Sequence, residues 1–146
     1  MTRYFLLAMF AVAALGLDLI PSAALADEEL PFKINYTATS SGESEGKYLI
    51  HTGTGTGTYL GQFSVMAGAD LSKRGVAGWI AFTSALGESL DVVMEQTWDP
   101  ETTSYIGTYT IVGGTGRFEN ASGGGTITTS LTDYPIPVSL EGFIVF

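Results

Sequence analysis

An all-β chain that closes into an eight-stranded antiparallel up-and-down barrel is the fold class this sequence predicts, with a β-sandwich of similar length as the alternative. Three observations carry the prediction. Apolar and polar residues alternate with period two in segment after segment, and no apolar stripe of helical period appears beyond residue 26. Glycine supplies 19 of the 146 residues and threonine is abundant; glycine weakens helices and threonine, being β-branched, favours strands. The connections between alternating segments are short, so successive strands are antiparallel neighbours, and closure removes the open edges that invite aggregation.

The elements follow in order. Residues 1–26 read as a removable signal peptide: Arg3 gives a positive start, Tyr4 to Leu17 is an apolar run, Pro21 breaks it, and Ala24-Leu25-Ala26 fits a small-residue cleavage site. Asp18 interrupts the run short of the roughly 20 apolar residues a spanning helix needs. Cleavage leaves 27–146 as one barrel domain without a stable membrane span. The first strand is expected over 32–39, with Phe32, Ile34, Tyr36 and Ala38 on one face, and the acidic stretch 40–46 as the loop after it. Further strands are expected at 47–58, 60–69, 76–83, 88–97, 104–112, 121–131 and 138–146. Turns fall at Lys73-Arg74-Gly75, near Gly87 and at Asp99-Pro100-Glu101, and Pro135 and Pro137 separate the last two strands. Outward faces rich in Thr, Ser, Lys and Glu argue against an outer-membrane barrel, which needs an apolar band.

Composition excludes several functions. With 6 basic against 15 acidic residues the formal charge is −9, which repels a phosphate backbone, so no nucleic-acid partner is expected. The absence of cysteine removes disulfides, thiol nucleophiles and thiolate metal sites, and a lone histidine, His51, cannot build a multi-histidine centre. No metal and no cofactor is expected. The core alone must stabilise an exported domain, and about 120 residues suffice for that.

Residues 113–125 read GGTGRFENASGGG, between the strands GTYTIV and GTITTS. This hairpin resembles the one shared by the allene oxide cyclase barrels and the dirigent proteins, whose turn reads G-T-G-x-F-x-x-A-x-G; the matching positions are Gly114, Thr115, Gly116, Phe118, Ala121 and Gly123. The earlier GTGTGTYLGQF at 53–63 is similar to the second and third strands of small secreted bacterial proteins with the same hairpin. The resemblance implies an eight-stranded antiparallel barrel, often trimeric in the plant members, with a hydrophobic cavity. It carries over no catalytic residue, and the dirigent disulfide has no counterpart in a cysteine-free chain. Gly114, Gly116 and Gly123 suit a tight turn that needs positive φ, with Phe118 folded inward as a plug.

Each candidate for chemistry has a plain structural reading beside it. TGTGTGTYLG at 52–61 lacks the spacing and the strand-to-helix context of a dinucleotide loop. It reads instead as a strand with threonine on one face and Gly53, Gly55 and Gly57 on the other, together with His51 and Tyr59. The glycine face is preferred as the outer one, because Tyr48 and Ile50 then point in and a neighbouring subunit can approach the glycines. His51 can act as a general acid or base near pH 7, or simply sit at the barrel rim. No G-x-S-x-G elbow is present. Asp91, Glu95, Asp99 and Glu101 read as a solvated outer face, since calcium takes about six or more oxygens from closely spaced groups.

The aromatic residues are the most informative set. Tyr36, Tyr59, Trp79, Phe82, Trp98, Tyr105 and Tyr109 lie on or beside predicted strands. They either fill the barrel solid or line a cavity for a small apolar or aromatic ligand. The leading expectation is therefore an exported binding module, with His51, Tyr59, Trp79, Trp98, Tyr105 and Tyr109 as ligand-binding candidates. A cyclase or isomerase of the kind the resemblance implies, and a structural homo-oligomer built on the Gly/Thr strands, are the alternatives.

Overall fold

The computed structural model describes residues 28–71 and 75–146. The signal peptide expected at 1–26, and Lys73 and Arg74 of the expected turn, lie outside the described residues. Eight strands close into one barrel in sequence order: β1 (Leu30–Glu45), β2 (Tyr48–Gly57), β3 (Gly61–Asp70), β4 (Gly75–Ser84), β5 (Ser89–Asp99), β6 (Ser104–Gly114), β7 (Ser122–Ser130) and β8 (Ile136–Val145). Every neighbouring pair is antiparallel, and β8 closes on β1 through Leu30↔Ile144 to Ala38↔Ile136. One 3-10 turn, Gly116–Phe118, interrupts the all-β pattern between β6 and β7. The sandwich alternative is thereby excluded. Among the described residues no helix is long and apolar enough to cross a membrane.

Following cross-strand partners from Ser40 through His51, Ala67, Ile80, Val92, Ile111, Gly123 and Ile144 leads back to β1 at Leu30. The displacement is ten residues (40 − 30), which tilts the strands steeply. A bulge between Asp91 and Val92 contributes to it. An eight-stranded barrel has an interior about as wide as its side chains can fill.

The alternating pattern fixes the inner face. Phe32, Ile34, Tyr36, Phe63, Val65, Ile80, Phe82, Leu90, Val92, Tyr109, Ile111, Ile127, Leu140 and Ile144 are buried in one cluster. Tyr36, Phe63 and Phe82 meet edge to face inside it, with centroids 5.0–6.3 Å apart, the arrangement favoured by aromatic quadrupoles.

Three sequence readings are corrected. Gly53, Gly55 and Gly57 face inward: their partners on either side are Ala38, Tyr36 and Ile34 on β1, and Val65, Phe63 and Gly61 on β3. A Cβ at Gly55 would strike the Asn35 carbonyl and come within 2.5 Å of Tyr36 Cβ, so glycine makes room for the tyrosine beside it. Ile50 misled the reading because it is buried from outside. It belongs to the outer row Ile50–Gly68–Trp79, and it is absent from the core cluster. The glycine half of the proposed subunit face is thus turned away from any neighbour. Second, 40–45 extends β1 rather than forming a loop, paired with β2 beyond a register break between Ser40 and Ser44, with Ser41 Oγ donating to the Ile50 carbonyl at 3.0 Å. Third, Pro137 lies within β8 opposite Thr37. The β7 partnership ends at Thr129↔Val138, so no N–H is required of Pro137 on that side.

Candidate functional site

The two ends of the barrel differ. At one end the chain seals itself. Phe118 drops into the lumen and is fully buried, its ring 5.9 Å from that of Phe146, which in turn meets Tyr59 edge to face at 5.3 Å. The segment holding Phe118 is pinned from outside. Arg117 Nε donates to Glu88 Oε1 at 2.7 Å, the Arg117 backbone N–H to Glu88 Oε2 at 2.9 Å, and Arg117 Nη2 to the Tyr59 carbonyl at 3.2 Å. These hydrogen bonds and the guanidinium charge hold the Glu88 carboxyl below its ordinary range. Gly116 takes φ 59° and Gly123 φ 140°, values open to glycine, and Gly114 pairs with Leu90 beneath the turn.

At the other end the inner face is built from small side chains. The ends of β1, β2 and β3 present Ala38, Gly53, Ala67 and Ala69, and the starts of β4 and β6 present Gly78 and Gly107. Water reaches slightly into this half: Ala67, Ala69, Val76 and Met94 are each 8% exposed, against 0% for Phe82, Leu90 and Ile144 toward the plug. Small side chains thus line this half of the lumen above the packed aromatic layer.

Three of the six sequence-predicted binding residues belong to this mouth. Trp98 is 42% exposed and stands edge to face on Tyr105, with centroids 5.1 Å apart. His51 lies across the mouth on the inner face between Ser40 and Ala67, half-buried. Tyr109 lies deeper. Its ring is buried and its hydroxyl has no hydrogen-bond partner. Burial, and secondarily the charge of Glu141, pushes its pKa up to about 12. Glu141 sits on the outside beside Gly142, where the wall carries no side chain to separate it from the lumen. The remaining two are elsewhere: Tyr59 belongs to the sealed end, and Trp79 to the outer wall. Tyr36, also inside, has its phenol raised well above the ordinary range by burial.

Sequence reasoning missed Gln96. It is 4% exposed, and its Nε2 donates to the Tyr105 carbonyl at 2.9 Å while the Thr129 hydroxyl donates to its Oε1 at 3.2 Å. The amide therefore ties β5, β6 and β7 together at the mouth and holds the strand that carries Tyr105. The signal was present in the alternation, since Gln96 continues the inner series Leu90, Val92, Met94. Chemically, the mouth offers aromatic edges, small apolar walls, one engaged amide and one imidazole. Among the described residues no group of three or more His, Asp or Glu is placed to hold a metal, and Asp70, on the outer wall, is the only buried carboxylate.

No family model matches this chain, and no curated protein matches it. Among solved structures it is similar to the pterocarpan synthase dirigent protein, at 15% sequence identity and a TM-score of 0.45, over 81% of this chain and 84% of that one.

Proposed function

We propose that this protein is an exported binding module that takes a small apolar or aromatic molecule at the unplugged mouth of its barrel. The observation that carries the reading is the set of small alanine and glycine residues on the inner face beneath the exposed Trp98–Tyr105 pair. A flat apolar ligand would lay one face on Trp98 and its edge against Ala67 and Ala69, burying ring surface that water now touches. Among the described residues, no charged side chain on the inner face would have to be desolvated on the way in. The bottom of the lumen is filled, so the ligand stays at the mouth.

The test uses Trp98 as reporter in a Trp79→Phe background, titrated with Nile red, an uncharged planar dye. Saturable energy transfer from Trp98 to the dye is expected, and Ala69→Phe, which sets a large ring among these small side chains, should abolish it while leaving the thermal transition in place. Transfer that is absent, or that survives Ala69→Phe, would overturn the reading. Export is tested separately by mass spectrometry of the secreted chain. A start at Asp27 is expected, and a start at Met1 contradicts cleavage.

A further inference from the structure

The outer wall carries a groove of about 570 Å³ that the mouth does not use. Strand register places Asp70, Ala77 and Glu95 in one outward row across β3, β4 and β5. Small Ala77 thus lies between two carboxylate-bearing positions, each one strand away, or about 4.8 Å. One step along the strands, Trp79 lies across Gly68, where a Cβ would come within 2.5 Å of the indole Nε1. Glycine at 68 is what lets this ring lie down against the sheet. Tyr48 forms a second aromatic wall of the same groove.

An ammonium already occupies part of this arrangement. Lys47 Nζ lies 5.4 Å from the centroid of the Tyr48 ring and 3.5 Å from Asp70 Oδ2, while its side chain remains 63% exposed. Lys47 precedes β2 at a tight turn, so it is a tethered and solvated occupant. Glu95, in contrast, makes no hydrogen bond or ion pair among the described residues. The whole chain carries −9, a field that concentrates cations and repels anions.

We propose that this groove is a second binding site, selective for a small organic cation with a quaternary ammonium head, and that Lys47 is its resident substitute. A quaternary head is less strongly hydrated than the lysine ammonium. It would exchange water for the faces of Tyr48 and Trp79 at lower cost, and it would supply the positive charge that Glu95 lacks. Lys47 would swing out to solvent as the ligand enters.

The test titrates the full chain carrying Trp98→Phe, which leaves Trp79 as the only tryptophan and removes the competing fluorophore at the mouth. The probes are choline and its uncharged isostere 3,3-dimethylbutan-1-ol. Choline should change Trp79 emission saturably and the alcohol should not. Lys47→Ala should tighten choline binding roughly two- to fivefold, the worth of the one exposed cation–aromatic contact that Lys47 now makes with Tyr48. Glu95→Gln should weaken it by a similar factor. Equal responses to the two probes, no saturable response even with Lys47→Ala, or indifference to Glu95→Gln would each overturn the proposal. Because the reporter lies on the outer wall, failure here leaves the mouth reading untouched.

Discussion

Replacing Tyr109 with phenylalanine should stabilise this protein, which reverses the usual result for removing a buried hydroxyl. The ring is 2% exposed and its hydroxyl has no partner. A buried polar group without a partner costs about 1–3 kcal/mol of desolvation with nothing in return. Tyr109→Phe removes that cost and keeps the ring packed between Met94 and the glycine wall at Gly125. The oxygen's own dispersion contacts are worth only about a few tenths of a kcal/mol. A net gain of about 1 kcal/mol, or roughly 3–5 °C in Tm for a chain of this size, is expected in urea and thermal unfolding.

The pH dependence tests the same residue independently. Tyr109 is raised from 10.0 to about 12 in the fold, and Tyr36 is raised too, by burial alone. An acid whose folded pKa is raised holds its proton longer in the native state than in the unfolded one. The associated stability is complete below pH 10 and is lost as pH climbs toward 12. Unfolding midpoints should fall across that window, and Tyr109→Phe should flatten the fall. If Tyr109→Phe instead lowered stability by about 1 kcal/mol or more, the hydroxyl would have a partner in solution. The lumen would then hold water or ligand at that depth, and the account of a dry, filled barrel would be wrong.

Three further outcomes follow from other positions. Phe118→Ala should cost about 3–5 kcal/mol, because the cavity it leaves lies under three pinned loops that cannot collapse into it; chemical denaturation measures this. Gly55→Ala should cost about 1–3 kcal/mol, since its Cβ meets backbone and Tyr36 rather than a yielding side-chain tip, and a barrel that accepts it without loss would refute the inward assignment. Gln96→Leu should cost about 1–3 kcal/mol by leaving the Tyr105 carbonyl without its donor. It should also broaden Trp98 emission in a Trp79→Phe background as the mouth loosens.

Much of the barrel was legible because period two is a strong signal wherever one face is packed and the other solvated. All eight strands were found, and β3 to β6 nearly to their ends. Where the reading failed, the signal had been inverted or diluted. In β2 the inner face is glycine, which carries no hydrophobic mark, while Ile50 is buried on the outer face, so hydropathy pointed the wrong way. In β1 the acidic SSGESE reads as loop by composition but pairs with β2 as a projecting ribbon with little core to cover. The candidate site was half legible for a related reason. Aromatic residues can be counted in a sequence, but whether each faces the lumen, the rim or the outer wall depends on register and on which end the chain seals. Trp79 and Trp98 lie on neighbouring strands with opposite parity and serve different surfaces.

That sealing is why the proposed binding is assigned to one mouth. The tilt and strand number fix the width of the lumen, and the side chains must share it. Tyr36, Phe63, Phe82 and Phe32 take the middle and the sealed half, and Phe118 closes it, so Gly55 opposite Tyr36 is a compensation for a large ring rather than empty space. Toward the mouth opposite the plug, the inner face carries small residues at Ala38, Gly53, Ala67, Ala69 and Gly107. On the proposed reading, a ligand larger than a single ring projects from the barrel, where Trp98 and the turn Asp99–Thr102 stand. That turn is stiffened by Asp99, which accepts from the Glu101 backbone N–H at 3.1 Å and the Thr102 hydroxyl at 2.9 Å. On the proposed reading, specificity at this mouth resides in the rim and not in the lumen. Substitutions at Trp98 and Tyr105 should change which molecule binds, whereas those at Phe63 or Phe82 should change only whether the barrel folds.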